Sequence, residues 1–379
     1  MKIGVPKEII DGEARVALTP SLVSPLISDG HSVIVQHNAG VLASFSDEQY
    51  SAAGATVVAA ASEIYTTANV ILKVQPPTKQ EADQFSKEST YIGFLAPLAN
   101  ADLLGTFVER RITAFSMEFI PRITRAQSMD ALSSMATVAG YKSVLLAADR
   151  IGKMFPLLMT AAGTVPPATV LILGAGVAGL QAIATAKRLG ARVEAFDPRP
   201  AVREQVKSLG AMFIEMELPE DAETKGGYAK ELSPEFIKKE MEAIAARLPK
   251  VDVVICTAQV FGKRAPILIT ADMVKLMRHG SVIVDLAAEQ GGNCELTKAG
   301  ATVEHEGVSI IGTVNTAATV PVDASRMYAR NAVSFLRHLY PKGASPDFND
   351  DIIKGACITR NGEITNELVR NALGQGERK

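Results

Sequence analysis

Cysteine is scarce in this chain of 379 residues: Cys256, Cys294 and Cys357 are all there are. Three thiols so scattered exclude a disulfide framework and a cysteine-built zinc site. Their expected role is that of small apolar residues in a reducing compartment. Excess charge is missing too. Lys+Arg 39 against Asp+Glu 41 leaves a formal net charge of −2, so the basic footprint of a nucleic-acid binder is absent. The five histidines (His31, His37, His279, His305, His338) lie scattered and are expected at surface or turn positions. The opening MKIGVPKE has neither the layout of a signal peptide nor the bias of a transit peptide, and a soluble cytoplasmic chain is expected. A long apolar span is lacking as well. The uncharged run from Phe155 to Ala186 is long enough to cross a bilayer. Pro166-Pro167 and Gly174, Gly176 and Gly179 divide it, however, and no other stretch is comparable.

What the chain does have is 47% hydrophobic residues, in the short continuous apolar runs of strands covered on both faces. The N-terminal region alternates such runs (Lys2 to Val5, Val33 to Gln36, Val70 to Lys73, Ile92 to Leu95, Thr113 to Met117) with helical patterns such as Pro20 to Asp29 and Asp47 to Ala53. A second unit repeats the alternation with six strands: Thr169–Leu173, Arg192–Phe196, Met212–Ile214, Val251–Cys256, Ser281–Leu286 and Val308–Ile311. The length suits two domains, and the pattern predicts α/β architecture with two doubly wound Rossmann-like domains. Since the second set of strands ends at Ile311, the helix beginning near Asp323 and the tail are expected to return to the first domain. That makes the first domain discontinuous, 1–133 with 321–379, around a second of 134–320. Tyr328, Ala332, Phe335, Leu336 and Leu339 mark one face of this helix. Asn361-Gly362 predicts a terminal hairpin.

The most specific local signal is Thr169-Val-Leu-Ile-Leu-Gly174-Ala-Gly176-Val177-Ala-Gly179. Gly174 permits a tight turn, Gly176 close approach of a pyrophosphate, and Gly179 close packing of helix on sheet. The helix that follows opens with free N–H groups and its positive dipole end toward the phosphates. The next strand ends in Asp197, a carboxylate suited to both ribose hydroxyls and repellent to a 2′-phosphate, which favours NAD over NADP. Arg199 is the contrary sign, because an arginine nearby could accommodate that phosphate. A second concentration of polar side chains, Arg122, Gln127, Asp130 and Ser133, precedes the bridge into the cofactor domain, at an expected interdomain NAD cleft.

RITRAQSMDALSSMA, AAGTVPPATVLILGAGVAGLQAIATAKRLGA, KGGYAKE, GKRAPILIT and SVIVDLAAEQGGNCE together resemble the NAD(H)-binding domain of proton-translocating nicotinamide nucleotide transhydrogenase, of the alanine dehydrogenase superfamily. The likeness runs from Gly4-Val-Pro-Lys-Glu to Arg360. It implies a homodimeric component holding NAD(H), which passes hydride to NADP(H) on a partner component. An integral-membrane subunit completes the complex, so this chain would have no span of its own and be cytoplasmic, peripheral to the inner membrane. The same resemblance implies that Arg122, Gln127, Asp130 and Ser133 contact the nicotinamide, its ribose or the pyrophosphate. It implies that Val177 and Asp197, Pro198 and Arg199 line the adenosine side, and that Gly226-Gly227-Tyr228 is a loop closing over the nucleotide. Gln259-Val-Phe, Glu240, Thr137 and Lys142 depart from the family pattern, which puts the contacts of Gln259 and its loop in question.

Alanine dehydrogenases, the alternative, must also hold a carboxylate and move a proton. Arg15 and Lys73 match their substrate-handling cations, but Phe94-Leu-Ala96-Pro97 has no histidine where that family places its acid/base. Hydride exchange between two nicotinamide rings needs orientation and exclusion of water, with no such group. Arg15 and Lys73 are therefore expected to be scaffold. Asp285 and Glu289, beside Gly291-Gly292, are placed at the same cleft without a fixed role. A non-catalytic NAD-binding regulator is a third reading, disfavoured by the Arg122–Ser133 group.

Overall fold

The computed structural model describes residues 1–215, 234–260, 262–341 and 344–374. Six strands open the chain: β1 (Lys2–Val5), β2 (Ser32–Gln36), β3 (Thr56–Val58), β4 (Val70–Leu72), β5 (Thr90–Gly93) and β6 (Thr113–Ser116). The middle holds β7 (Leu158–Thr160), β8 (Gly163–Val165), β9 (Thr169–Leu173), β10 (Arg192–Phe196), β11 (Met212–Phe213), β12 (Val253–Cys256), β13 (Val282–Asp285), β14 (Thr302–His305) and β15 (Val308–Gly312). Two more, β16 (Cys357–Arg360) and β17 (Glu363–Ile364), come near the end. The chain divides into two compact units, Met1–Met135 with Ala318–Lys379, and Ala136–Ala317.

The first unit is built on an eight-stranded sheet of order β17-β16-β6-β5-β4-β1-β2-β3. Strands β1 to β6 run parallel, whereas β16 is antiparallel to β6 and β17 to β16. At the hairpin between the last two, Asn361 and Gly362 both have positive φ, +54° and +84°. These are the angles of a type I′ turn, whose twist matches that of its flanking strands. Tyr328, Ala332, Phe335, Leu336 and Leu339 are all buried on one face of the helix Pro321–Leu339. The short β3, which follows Gly54, is a strand that the sequence pattern did not resolve.

The second unit carries a seven-stranded sheet, β11-β10-β9-β12-β13-β15-β14. Its central strands β12 and β13 are buried along their whole length, as strands covered on both faces must be. Six strands were expected in this sheet; among the described residues it has seven. The additional one, β14, pairs antiparallel with β15 at the sheet edge and is connected to it through Glu306 and Gly307, both at positive φ. Its sequence Thr-Val-Glu-His never becomes an apolar run, because an edge strand needs little burial. The uncharged stretch Phe155 to Ala186 resolves into the hairpin β7–β8, the strand β9 and the helix Val177–Arg188. A different segment, the helix Ala131–Arg150, is long and apolar enough to cross a membrane by length and composition alone. That corrects the expectation that no second stretch is comparable, although helices of a protein core pass the same test.

Candidate dinucleotide site

The candidate residues fall into two groups, one in each unit. In the second unit the turn after β9 is shaped by three glycines that do different work. Gly174 has φ +93°, a left-handed conformation that a side chain disfavours. Its carbonyl accepts the Thr257 hydroxyl at 2.8 Å. A Cβ on Gly179 would stand 1.9 Å from the Gly174 carbonyl oxygen, so the helix Val177–Arg188 can lie this close to the turn only without one. A Cβ on Gly176 would meet nothing nearer than an Arg199 guanidinium nitrogen at 3.9 Å. Packing within the protein does not require glycine there, and the space in front of it is open to a ligand. Val177, the first residue of the helix, is exposed.

Asp197 closes β10 and is buried at 2% exposure. Its Oδ2 accepts the Ala175 backbone N–H at 2.7 Å, which ties the carboxylate to the glycine turn. Arg199 grips the same group from the other side, with Nε on Oδ1 at 2.8 Å, Nη2 on Oδ2 at 2.7 Å and its backbone N–H on Oδ1 at 2.9 Å. Arg199 therefore neutralises the Asp197 carboxylate. Pro198 fixes the backbone between the two. Sequence reasoning gave Glu240 no role here. It is buried, and burial together with the negative charge of Asp197 raises its pKa to about 7.

Gln259 donates its side-chain amide to the Leu286 carbonyl at 2.8 Å. Asn293, wholly buried, bridges the Ala258 carbonyl and the Pro266 carbonyl, both at 2.8 Å. Asp285 was expected beside the cleft without a fixed role. It is wholly buried and accepts four bonds, from the N–H groups of Ala287, Asn293 and Cys294 and the hydroxyl of Thr297. So many internal donors make it the organiser of the loop that contains Gly291 and Gly292. Glu289 accepts the Asn315 N–H at 3.3 Å. Gly227 and Tyr228 lie outside the described residues.

In the first unit, Arg122 to Asp130 form a short polar segment with a 3₁₀ helix at Thr124–Met129. Ala126 and Met129 are buried anchors, while Arg122 and Gln127 are exposed. Asp130 accepts the Ser133 N–H at 2.8 Å and its hydroxyl at 2.6 Å, an N-cap arrangement for the helix Ala131–Arg150.

Arg15 and Lys73 are both buried among carboxylates of the same unit. Arg15 makes a paired contact with Glu13, Nε to Oε1 at 2.8 Å and Nη2 to Oε2 at 2.6 Å. Burial alone would raise the Glu13 pKa, but Arg15 outweighs it and the net shift is downward. The Lys73 ammonium donates to Glu81 at 2.9 Å and lies 3.2 Å from Glu8, the latter an ion pair without hydrogen-bond alignment. Burial opposes the charge of Lys73, yet the attraction of Glu8 and Glu81 prevails and its pKa is raised. Glu8 itself is pushed up by burial. At the Phe94-Leu-Ala96 segment, Ala96 has φ +43° and gives its N–H to Glu118. None of the side chains of Phe94, Leu95 and Ala96 can carry a proton, although the Glu118 carboxyl, its pKa raised by burial, lies against their backbone.

Two family models cover nearly the whole chain: "Alanine dehydrogenase/PNT, N-terminal domain" over residues 4–139 and "Alanine dehydrogenase/PNT, C-terminal domain" over residues 143–367. The chain is 47% identical to the first of the parts that make up NAD(P) transhydrogenase subunit alpha in Rhodospirillum rubrum, covering 99% of this chain and 100% of that one. Alanine dehydrogenase of Bacillus subtilis is more distant, 31% identical over 99% of this chain and 95% of its own. A crystal structure of transhydrogenase from Sinorhizobium meliloti superposes with a TM-score of 0.88 at 41% identity, covering 96% of this chain and 100% of that chain. The chain belongs to the alanine dehydrogenase/PNT family, and its relatives at 41–47% identity are NAD(P) transhydrogenase alpha subunits.

Proposed function

We propose that this chain is the NAD(H)-binding component of a proton-translocating transhydrogenase. It passes hydride between NADH and NADP⁺ held by a partner component of a membrane complex. In this reading residues 134–320 are the nucleotide-binding domain, and residues 1–133 with 321–379 are the domain that completes it. The observation that carries the choice over an amino acid dehydrogenase is the state of Lys73. An ammonium at 0% exposure between Glu8 and Glu81 has its charge already answered, and cannot also hold a substrate carboxylate without losing them. The absence of a proton-carrying side chain at Ala96 agrees with hydride exchange between two nicotinamides, which moves no proton.

The chain's own residues then have three tasks. Gly174, Gly176, Val177 and Gly179 with the opening of the helix receive the pyrophosphate on backbone N–H groups. Asp197, Pro198 and Arg199 hold the adenosine end, with Gln259, Gly227 and Tyr228 completing the enclosure. Arg122, Gln127, Asp130 and Ser133 orient the nicotinamide so that its C4 edge stays open to the partner. NAD(H) supplies the transferable hydride; the protein supplies alignment and exclusion of water. The hairpin β7–β8 supports a homodimer: Met159, in the middle of β7, is 82% exposed, and Leu157 and Met154 just before the hairpin are also outside, an apolar surface suited to a second copy. The complex places the chain in the cytoplasm, at the inner membrane through its partner.

Retention of Arg15 and Lys73 favours the alternative, a self-sufficient alanine dehydrogenase. Purified chain supplied with pyruvate, ammonia and NADH separates the two: no NADH oxidation is expected, and rapid turnover would establish the alternative. Gln127→Ala is expected to slow transfer to the NADP-loaded partner much more than it weakens NADH binding. Equal losses would remove the amide from the orienting role.

A further inference from the structure

We infer that Asn331 is a positioning residue for hydride exchange, acting through the backbone of the segment that presents Gln127. The inference rests on the function proposed above and adds a residue to it. The segment Thr124–Met129 is a 3₁₀ helix, whose i to i+3 bonds are poorer than those of an α-helix. One of its closing bonds, Asp130 N–H to the Gln127 carbonyl, is 3.3 Å long. Its outward side chains, Arg122 and Gln127, are exposed, so its rigidity must come from behind. Ala126 and Met129 supply contact there, but apolar contact does not fix the rotation of a peptide plane. Asn331 does. From the helix Pro321–Leu339 it donates its amide to the Ser128 carbonyl at 2.8 Å. Ser128 follows Gln127 directly, so holding its carbonyl restrains the backbone from which Gln127 projects.

Packing gives no reason for an amide at this position. Asn331 is only 6% exposed, and its Oδ1 has no protein partner among the described residues. A leucine, with the same number of side-chain heavy atoms, would bring no unpaired acceptor of its own. What leucine could not do is hold the Ser128 carbonyl. A second tie, from Asp350 to Arg125 at 2.7 Å, reaches the same segment, but Arg125 is half exposed and such a pair constrains little.

The test uses the full chain with its NADP-binding partner. Asn331→Leu removes the donor while keeping the branched side-chain shape, and Asn331→Asp sets an acceptor against the Ser128 carbonyl. Both are expected to slow hydride transfer about 10- to 100-fold while the NADH Kd changes less than about threefold and the thermal midpoint stays within about 5 °C. Unchanged transfer in Asn331→Leu would overturn the inference. So would a parallel loss of NADH affinity, or loss of folding in both variants, since either assigns Asn331 to the fold. Gln127→Ala measured alongside separates the layers. If it leaves transfer intact the proposed function fails; if it slows transfer and Asn331→Leu does not, this inference alone fails.

Discussion

Two buried carboxylates and one buried ammonium carry the most distinctive chemistry at the residue scale. Glu240 has its pKa raised from 4.5 to about 7 by burial and by Asp197, so the folded protein holds that proton more tightly than the unfolded chain. The resulting stabilisation is full below about pH 4.5 and is lost as pH rises through about 7. Glu240→Gln should flatten the decline of unfolding free energy over that window, by as much as about 3 kcal/mol. Urea titrations at several pH values measure it, and an unchanged slope would locate the titration elsewhere. Lys73 gives a prediction of the opposite kind. Lys73→Met leaves Glu8 and Glu81 facing each other in the interior, with an expected cost of about 3–5 kcal/mol; wild-type stability would mean the cluster had relaxed to water. At Asp197, replacement by Ala should weaken NADH binding by about 1–3 kcal/mol, and an unaltered Kd would take it out of the site.

At the scale of elements, the turn between β9 and the helix Val177–Arg188 holds two glycines that folding requires and one, Gly176, that packing does not. Gly179→Ala would force a methyl 1.9 Å from a carbonyl oxygen, and a large fall in thermal midpoint is expected. Gly176→Ala meets open space. It should leave the midpoint within about 2 °C of the parent yet weaken NADH binding tenfold or more, because the methyl stands where the pyrophosphate must come. Equal effects of the two substitutions would contradict this division. Such a turn was legible in the sequence because backbone geometry admits so few residue types. The Asn361-Gly362 hairpin was legible for the same reason, since both residues take positive φ. Where the determinants are not local, the sequence was silent. Asp285 owes its role to N–H groups of residues 287–294, which any residue type could provide. Asn331 is one polar residue on a long helix, and only the fold brings it to Ser128. The partners of Lys73 stand at positions 8 and 81, a pairing that no spacing rule announces.

For the whole molecule, the account makes the chain half of a reaction. On the proposed function it would hold one dinucleotide with backbone N–H groups and a carboxylate, aim the nicotinamide with a polar segment, and leave the acceptor to another protein. Arg15 and Lys73 are absorbed into internal ion pairs. The most direct measurement of this claim is stopped-flow mixing of the NADH-loaded chain with its NADP⁺-loaded partner domain, with no oxo acid present. The account predicts direct transfer, with NADPH formed as NADH is consumed and deuterium carried from the C4 of one ring to the C4 of the other. No exchange with the NADP⁺-loaded partner, combined with rapid NADH oxidation by pyruvate and ammonia in the isolated chain, would contradict it.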